Sequence, residues 1–199
     1  MTYTAKTFDL PALAGLSEKQ IKVHLGLYEG YVKNVNLIME TLAGYAAYGD
    51  KASEGDKYAI TELRHRFAFE FDGMRMHEYY FEQFEGGAQA LSDGALASAA
   101  AEKYGSKDGL VAHIKEVAGS RGIGWVVVYR DPKGGTLHTV FVNDHELGQL
   151  AGLPVLLALD LWEHAFMVDY VPAEKKNYVE AFLANLNWSV VEKRFDQAM

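Results

Sequence analysis

The chain has 199 residues, 49% hydrophobic and 23% charged, enough to bury one good core or two small ones that share an interface. Its net charge of −8 argues against nucleic acid or an anionic membrane as the main partner. A small anion is still allowed, because the local potential in a funnel can oppose the global sign.

An extended arm containing Pro11 leads to Ser17, which reads as a helix N-cap with Glu18 in the first turn. Ile21, His24, Leu25, Tyr28, Tyr31, Val32, Val35, Leu37 and Ile38 then recur at helical spacing. This predicts a long first helix, interrupted near Gly26 or Gly30. GDKASEGDK, at 49–57, reads as a polar turn. A second helix over 58–84 carries Leu63, Phe67, Phe69, Phe71, Met74, His77, Tyr80, Phe81 and Phe84, and the pair makes an antiparallel hairpin. EGGAQALSDG is a linker and divides the chain into units 1–87 and 88–199. Helices over 94–103 and 106–117 follow, the second capped by Ser106 with Asp108 in its first turn. WVVVYR and TLHTVFV flank the turn DPKGG, and the apolar run LPVLLALDLW completes an antiparallel sheet. Helix returns from about 162, and NYVEAFLANLNWSVVEKRF reads as a closing helix pair. The class is α+β: an all-α N-terminal part, then a part with strands between helices.

With no cysteine, there is no disulfide and no thiolate, so a transition metal would have to be held by nitrogen and oxygen. The N-terminal MTYTAKTFDLPALAG lacks an apolar core of signal-peptide length, and no stretch reaches the roughly 18 apolar residues of a membrane helix. A cytoplasmic enzyme is expected.

Of the seven histidines, His65, His113 and His138 lie in settings where a surface or half-buried imidazole is ordinary. His24, His77 and His164 sit in apolar or aromatic surroundings. One such residue alone is more often a core histidine bonded to a carbonyl. Three, together with Asp160 between Leu159 and Leu161, begin to form one constellation. A buried ionised aspartate needs a cation or several donors to offset its desolvation. Imidazoles with one carboxylate suit iron, manganese or zinc. The Asp-x-x-x-His spacing lets one helix start supply two ligands.

Asp160-Leu161-Trp162-Glu163-His164-Ala165-Phe166 resembles the D-x-W-E-H-A-[YF] signature of the iron/manganese superoxide dismutase family. The likeness extends over essentially the whole chain, through LPALAGLSEKQIKVH with YVKNVN, FAFEFDGMRMHEYYFEQFEGG, GIGWVVV, FVNDHELGQLAGLPVLLALD and LANLNW. It implies a long N-terminal helical hairpin (1–87) packed on a C-terminal metal-binding domain (88–199) of helices around a three-stranded antiparallel sheet. It implies one iron or manganese ion per chain, held by His24, His77, Asp160 and His164. Tyr31 would be the gateway tyrosine, and His145 stands where most members have a glutamine, both positioned to hydrogen-bond solvent at the metal. Gly73, four before His77, leaves its own position empty, which points to His145 as that donor. Trp125, Trp162 and Phe81 would wall the site. Glu163 would lie at the interface of a homodimer or homotetramer and bridge to the opposite chain's ligand histidine. The implied activity is dismutation of superoxide, an antioxidant oxidoreductase reaction, with Lys175 or Lys176 drawing the anion in.

Four positions depart from the family pattern. No histidine lies between His24 and Tyr31, which are seven apart rather than eight and so call for a locally rewound helix. Met167 stands for a tyrosine that pairs with that missing histidine across the dimer, Phe81 for a tryptophan, and Met76 for an asparagine. These changes leave two rivals to a dismutase. One is a metalloprotein of the same fold with weak dismutase activity or other redox chemistry. The other is a metal-free helical interaction protein.

Overall fold

Each of the two long N-terminal helices is started by a serine. The first, α1, spans Glu18–Ala46, and the Ser17 side chain accepts from the Gln20 amide at its start. The second, α2, spans Glu54–Glu82 and opens with a reciprocal capping box between Ser53 and Asp56. That box starts α2 inside the stretch expected to be turn. Tyr28 bonds Glu78 while Asn34 bonds Glu70, so the helices run antiparallel as a hairpin. Helix α1 is continuous through Gly26 and Gly30, where an added Cβ would meet open space; these glycines neither bend it nor admit a neighbour. The computed structural model describes residues 2–198.

Beyond Gly86 and Gly87, both at positive φ, come α3 (Ala95–Tyr104) and α4 (Lys107–Ala118). Strands β1 (Gly124–Asp131), β2 (Thr136–Asn143) and β3 (Val155–Asp160) form one antiparallel sheet in the order β2-β1-β3. Helices α5 (Lys175–Asn185) and α6 (Trp188–Gln197) close the chain.

The helix expected from about 162 is absent. The chain makes a single 3-10 turn at Glu163–Ala165 and a second at Pro172–Glu174, and becomes α-helical only at Lys175. The reason is Gln20. Its buried side-chain amide donates to the His164 carbonyl at 2.6 Å and accepts from Val168 N–H at 2.9 Å. Those are the two groups that would bond each other in an α-helix, so a side chain from α1 replaces the ladder there. Asp160 and His164 therefore come from a strand end and a turn, not from one helix start.

Strand β3 is an edge, and its outward backbone groups would be orphaned inside the molecule without partners. Three side chains supply them. Arg194 donates to the Leu156 carbonyl at 3.0 Å, and Tyr178 donates to the Asp160 carbonyl at 2.7 Å. Between them the Gln83 amide donates to the Ala158 carbonyl at 2.6 Å and accepts from its N–H at 3.0 Å. Gln83 thus acts as a one-residue strand, carried by α2, that fixes β3 two residues before Asp160.

Gln83→Leu should leave the buried Ala158 N–H and C=O unpaired and lower stability by about 3 kcal/mol or more. Chemical denaturation measures this; a loss under about 1 kcal/mol would mean that the edge is satisfied in another way.

Candidate metal centre

His24 projects from α1, His77 from α2, Asp160 ends β3, and His164 sits in the 3-10 turn. One nitrogen or oxygen from each lies within 4.8 Å of the others. Asp160 Oδ2 stands 3.0 Å from His24 Nε2, 3.3 Å from His164 Nε2 and 3.6 Å from His77 Nε2, and the last two nitrogens are 3.3 Å apart. The side chains of His24, His77 and Asp160 are fully buried, while His164 is 17% exposed.

The hydrogen bonds around the cluster determine which atoms face inward. His77 Nδ1 lies 2.6 Å from the Gly73 carbonyl, which can only accept, so Nδ1 carries the proton and Nε2 turns a lone pair into the cluster. Asp160 Oδ1 accepts from Trp162 N–H at 2.8 Å, leaving Oδ2 for the cluster. Among the described residues His24 Nδ1 is buried without a polar partner; Tyr80 and Phe81 hold its ring instead, at 4.8 and 4.9 Å. Burial keeps His24 and His77 below the ordinary histidine range, which favours neutral rings. Burial pulls the Asp160 carboxyl upward, but His164 and His24 outweigh it and hold the group below the usual carboxylate range. A proton on His24 Nε2 would make a hydrogen bond to Asp160 Oδ2, but the remaining lone pairs converging on the carboxylate repel unless a cation lies among them. Donor atoms about 3–3.6 Å apart are the edges of a coordination sphere with bonds of about 2.1 Å. The residues fit a transition-metal ion bound through three nitrogens and one oxygen.

A second set of bonds has a fixed direction. The Trp125 indole N–H only donates, and it reaches His145 Nδ1 at 3.0 Å. His145 therefore carries its proton on Nε2, which lies 2.7 Å from the Tyr31 hydroxyl oxygen and donates to it. The Tyr31 proton is left to point elsewhere. Burial pushes the Tyr31 hydroxyl upward, with the Asp160 charge adding to it, and burial pushes His145 down to about 4.

His24 and Tyr31 reach this region from a single continuous α-helix. Between them on α1 lies Tyr28, buried, accepting from Lys6 N–H and donating to Glu78. The space at Gly73, expected to be empty, is filled by the Tyr31 ring: an added Cβ would come within 2.7 and 2.8 Å of its carbons. Trp125 stands 5.1 Å from the His77 ring. Trp162 stacks between His145 at 4.8 Å and His164 at 5.7 Å, and its indole donates to the Asp144 carbonyl. Phe81 walls the His24 side, and Glu163 is exposed beside His164. Lys175 and Lys176 are elsewhere. Lys175 donates to the Ser120 carbonyl, and both line a cavity of about 330 Å³ with Lys115 and Gly119, none of whose lining residues belongs to the cluster.

Four residues were not singled out from sequence. Gln20 and Gln83 are single amides on otherwise apolar helix faces, the one available signal for them. Tyr178 donates to the Asp160 carbonyl, and Phe69 packs 4.6 Å from His145; nothing in their local sequence marks them.

Residues 92–194 match the family model described as iron/manganese superoxide dismutases, C-terminal domain. The chain is 33% identical over 189 residues to a protein of Aquifex pyrophilus named superoxide dismutase [Fe], covering 94% of this chain and 87% of that one. It is also 33% identical over 193 residues to superoxide dismutase [Mn] 1 of Halobacterium salinarum, with 96% and 92% covered. A Cupriavidus metallidurans superoxide dismutase [Fe] is 34% identical, with 94% and 92% covered.

Gly73→Ala tests the packing of Tyr31. The new methyl should push the ring away, break its bond to His145 and destabilise the fold by about 1–3 kcal/mol. A crystal structure of the variant with the 2.7 Å contact intact would refute this reading.

Proposed function

The chain belongs to the iron/manganese superoxide dismutase family, and from that membership we infer that His24, His77, Asp160 and His164 hold the one ion with which it dismutes superoxide. It is a metal-dependent oxidoreductase whose cofactor is iron or manganese. The observation that carries the site is the convergence of three imidazole nitrogens and one carboxylate oxygen, with the second polar atoms of His77 and Asp160 bonded away from it. An ion bound there supplies one-electron chemistry: one superoxide is oxidised to dioxygen, and a second, with two protons, is reduced to hydrogen peroxide.

Each residue has its own task. His77 is held by the Gly73 carbonyl and His164 by the turn that Gln20 closes, so both present Nε2 without rearrangement. Asp160 supplies the one negative charge of the donor set, which favours the trivalent state. Tyr31 and His145 are the catalytic pair. His145, its tautomer set by Trp125, donates to Tyr31, and the tyrosine's own proton is free to be aimed at the reacting anion or its solvent. Trp125, Trp162 and Phe81 exclude bulk water around the ligands.

The division at 87/88 into a hairpin domain and a C-terminal metal-binding domain is supported by the two left-handed glycines between them. We read the molecule as a homodimer with Glu163 at its interface. Exposed Met167 and Val168 follow the His164 turn, and exposed Val23 and Leu27 lie on the neighbouring start of α1. This apolar rim takes the place of the tyrosine–histidine bridge that Met167 precludes. We read its location as cytoplasmic. Among the described residues, no helix is long and apolar enough to cross a membrane.

Elemental analysis of protein expressed with both metals available, paired with superoxide turnover per bound metal, tests the function. Full occupancy with negligible turnover would sink it. Asp160→Ala should lose metal retention, from about one ion per chain to nearly none; wild-type stoichiometry would remove Asp160 from the ligand set. Tyr31→Phe should keep the metal and slow turnover roughly 10- to 100-fold. An unchanged rate would exclude Tyr31 from proton delivery.

A further inference from the structure

We propose that Arg66, on the outer half of α2, is the cation that recruits superoxide to the mouth of the metal centre. This rests on the dismutase reading. The problem it solves is electrostatic: the substrate is an anion and the protein carries a net charge of −8, so association is slowed unless the mouth itself is positive.

The mouth is identifiable from burial. Among the four ligands only His164 keeps exposed surface, and the flanking wall residues that also reach solvent are Tyr31, Phe69 and Trp162. Phe69 lies at the centre of that rim, 4.6 Å from the His145 ring and 6.3 Å from both Trp162 and Tyr31. The Arg66 guanidinium carbon sits over the outer face of the same ring, 3.9 Å from its centroid. Arg66 is thus one aromatic ring away from His145.

Its orientation is also fixed. Arg66 Nε donates to Glu70 Oε1 at 2.7 Å, and Glu70 is held in turn by Asn34 Nδ2 at 3.2 Å. Glu70 is 4% exposed and Arg66 is 55% exposed, so the carboxylate lies behind and the guanidinium in front. The pair has no net charge, yet the face toward solvent is the positive one. The two Nη groups take no hydrogen-bond partner among the described residues and remain available to an anion. The Arg66 charge also acts on both Tyr31 and His145: it opposes the burial that raises Tyr31 and adds to the burial that lowers His145. A flat, delocalised cation can stack on Phe69 and still present a fork of donors, which a lysine ammonium cannot. Lys175 and Lys176 stand at another cavity and are not placed for this role.

The test uses the metal-loaded protein with two anions, superoxide as substrate and azide as a non-reacting probe. Arg66→Ala should lower kcat/KM for superoxide roughly three- to tenfold at low ionic strength, with the change in KM, and flatten its salt dependence. Azide should bind more weakly by a similar factor. Arg66→Lys, which keeps the charge but not the stacked fork, should recover part of both, and Glu70→Gln, which unmasks the charge, should raise both above wild type. If Arg66→Ala leaves the salt slope and azide affinity unchanged, or if Arg66→Lys behaves like alanine, the proposal is overturned. Metal-loaded wild type that binds azide but turns over no superoxide would reject the dismutase reading alone, and the azide series would still decide the role of Arg66.

Discussion

Four electron-rich atoms aimed at one buried point, with a carboxylate among them, set the central constraint on this molecule. Without a cation they repel, and any slack in the surrounding structure would let them swing apart or find other partners. The fold meets the constraint by engaging the other polar atom of His77, of Asp160 and of the His164 backbone before the site is used. The Gly73 carbonyl takes His77 Nδ1, Trp162 N–H takes Asp160 Oδ1, and Gln20 takes the His164 carbonyl. His24 has no such polar anchor and is wedged by Tyr80 and Phe81. The free edge of β3 extends the same logic, since Arg194, Gln83 and Tyr178 fasten alternate residues up to Asp160 itself.

The bonds outside the ligands show how the departures from the family pattern are accommodated. With histidine at position 145, the direction of the chain Trp125–His145–Tyr31 is dictated by the indole, because a group that can only donate fixes the tautomer of its acceptor. An amide side chain could satisfy both neighbours by a flip; an imidazole offers one donor and one acceptor and so has one workable arrangement here. Tyr28, between His24 and Tyr31 on α1, turns its hydroxyl toward Lys6 and Glu78 and ties the N-terminal arm to the hairpin.

Much of this was legible in the sequence. Helical periodicity placed α1 and α2, β-branched runs placed the sheet, and the WEHA signature identified His164 and Asp160. What the sequence concealed is the work of side chains acting on distant backbone. The run after Leu161 reads as helix, and only a glutamine 144 positions away, taking the His164 carbonyl, prevents it. Gly73 reads as a gap, and only the tertiary approach of Tyr31 fills it. Arg66 reads as one of several surface charges, because Phe69 conveys nothing of its closeness to His145 until the hairpin meets the sheet. Local pattern carries propensity and amphipathicity; it does not carry which buried amide meets which carbonyl.

The Gln20 bridge also bears on the order of assembly. The turn that carries His164 lacks its ladder bond until α1 arrives and inserts the amide between the His164 carbonyl and Val168. The C-terminal half cannot finish its own last ligand position alone, although it contains both Asp160 and His164. One contact between the hairpin and the rest of the chain thus serves two ends: α1 carries His24 to the cluster and, through Gln20, closes the turn that holds His164.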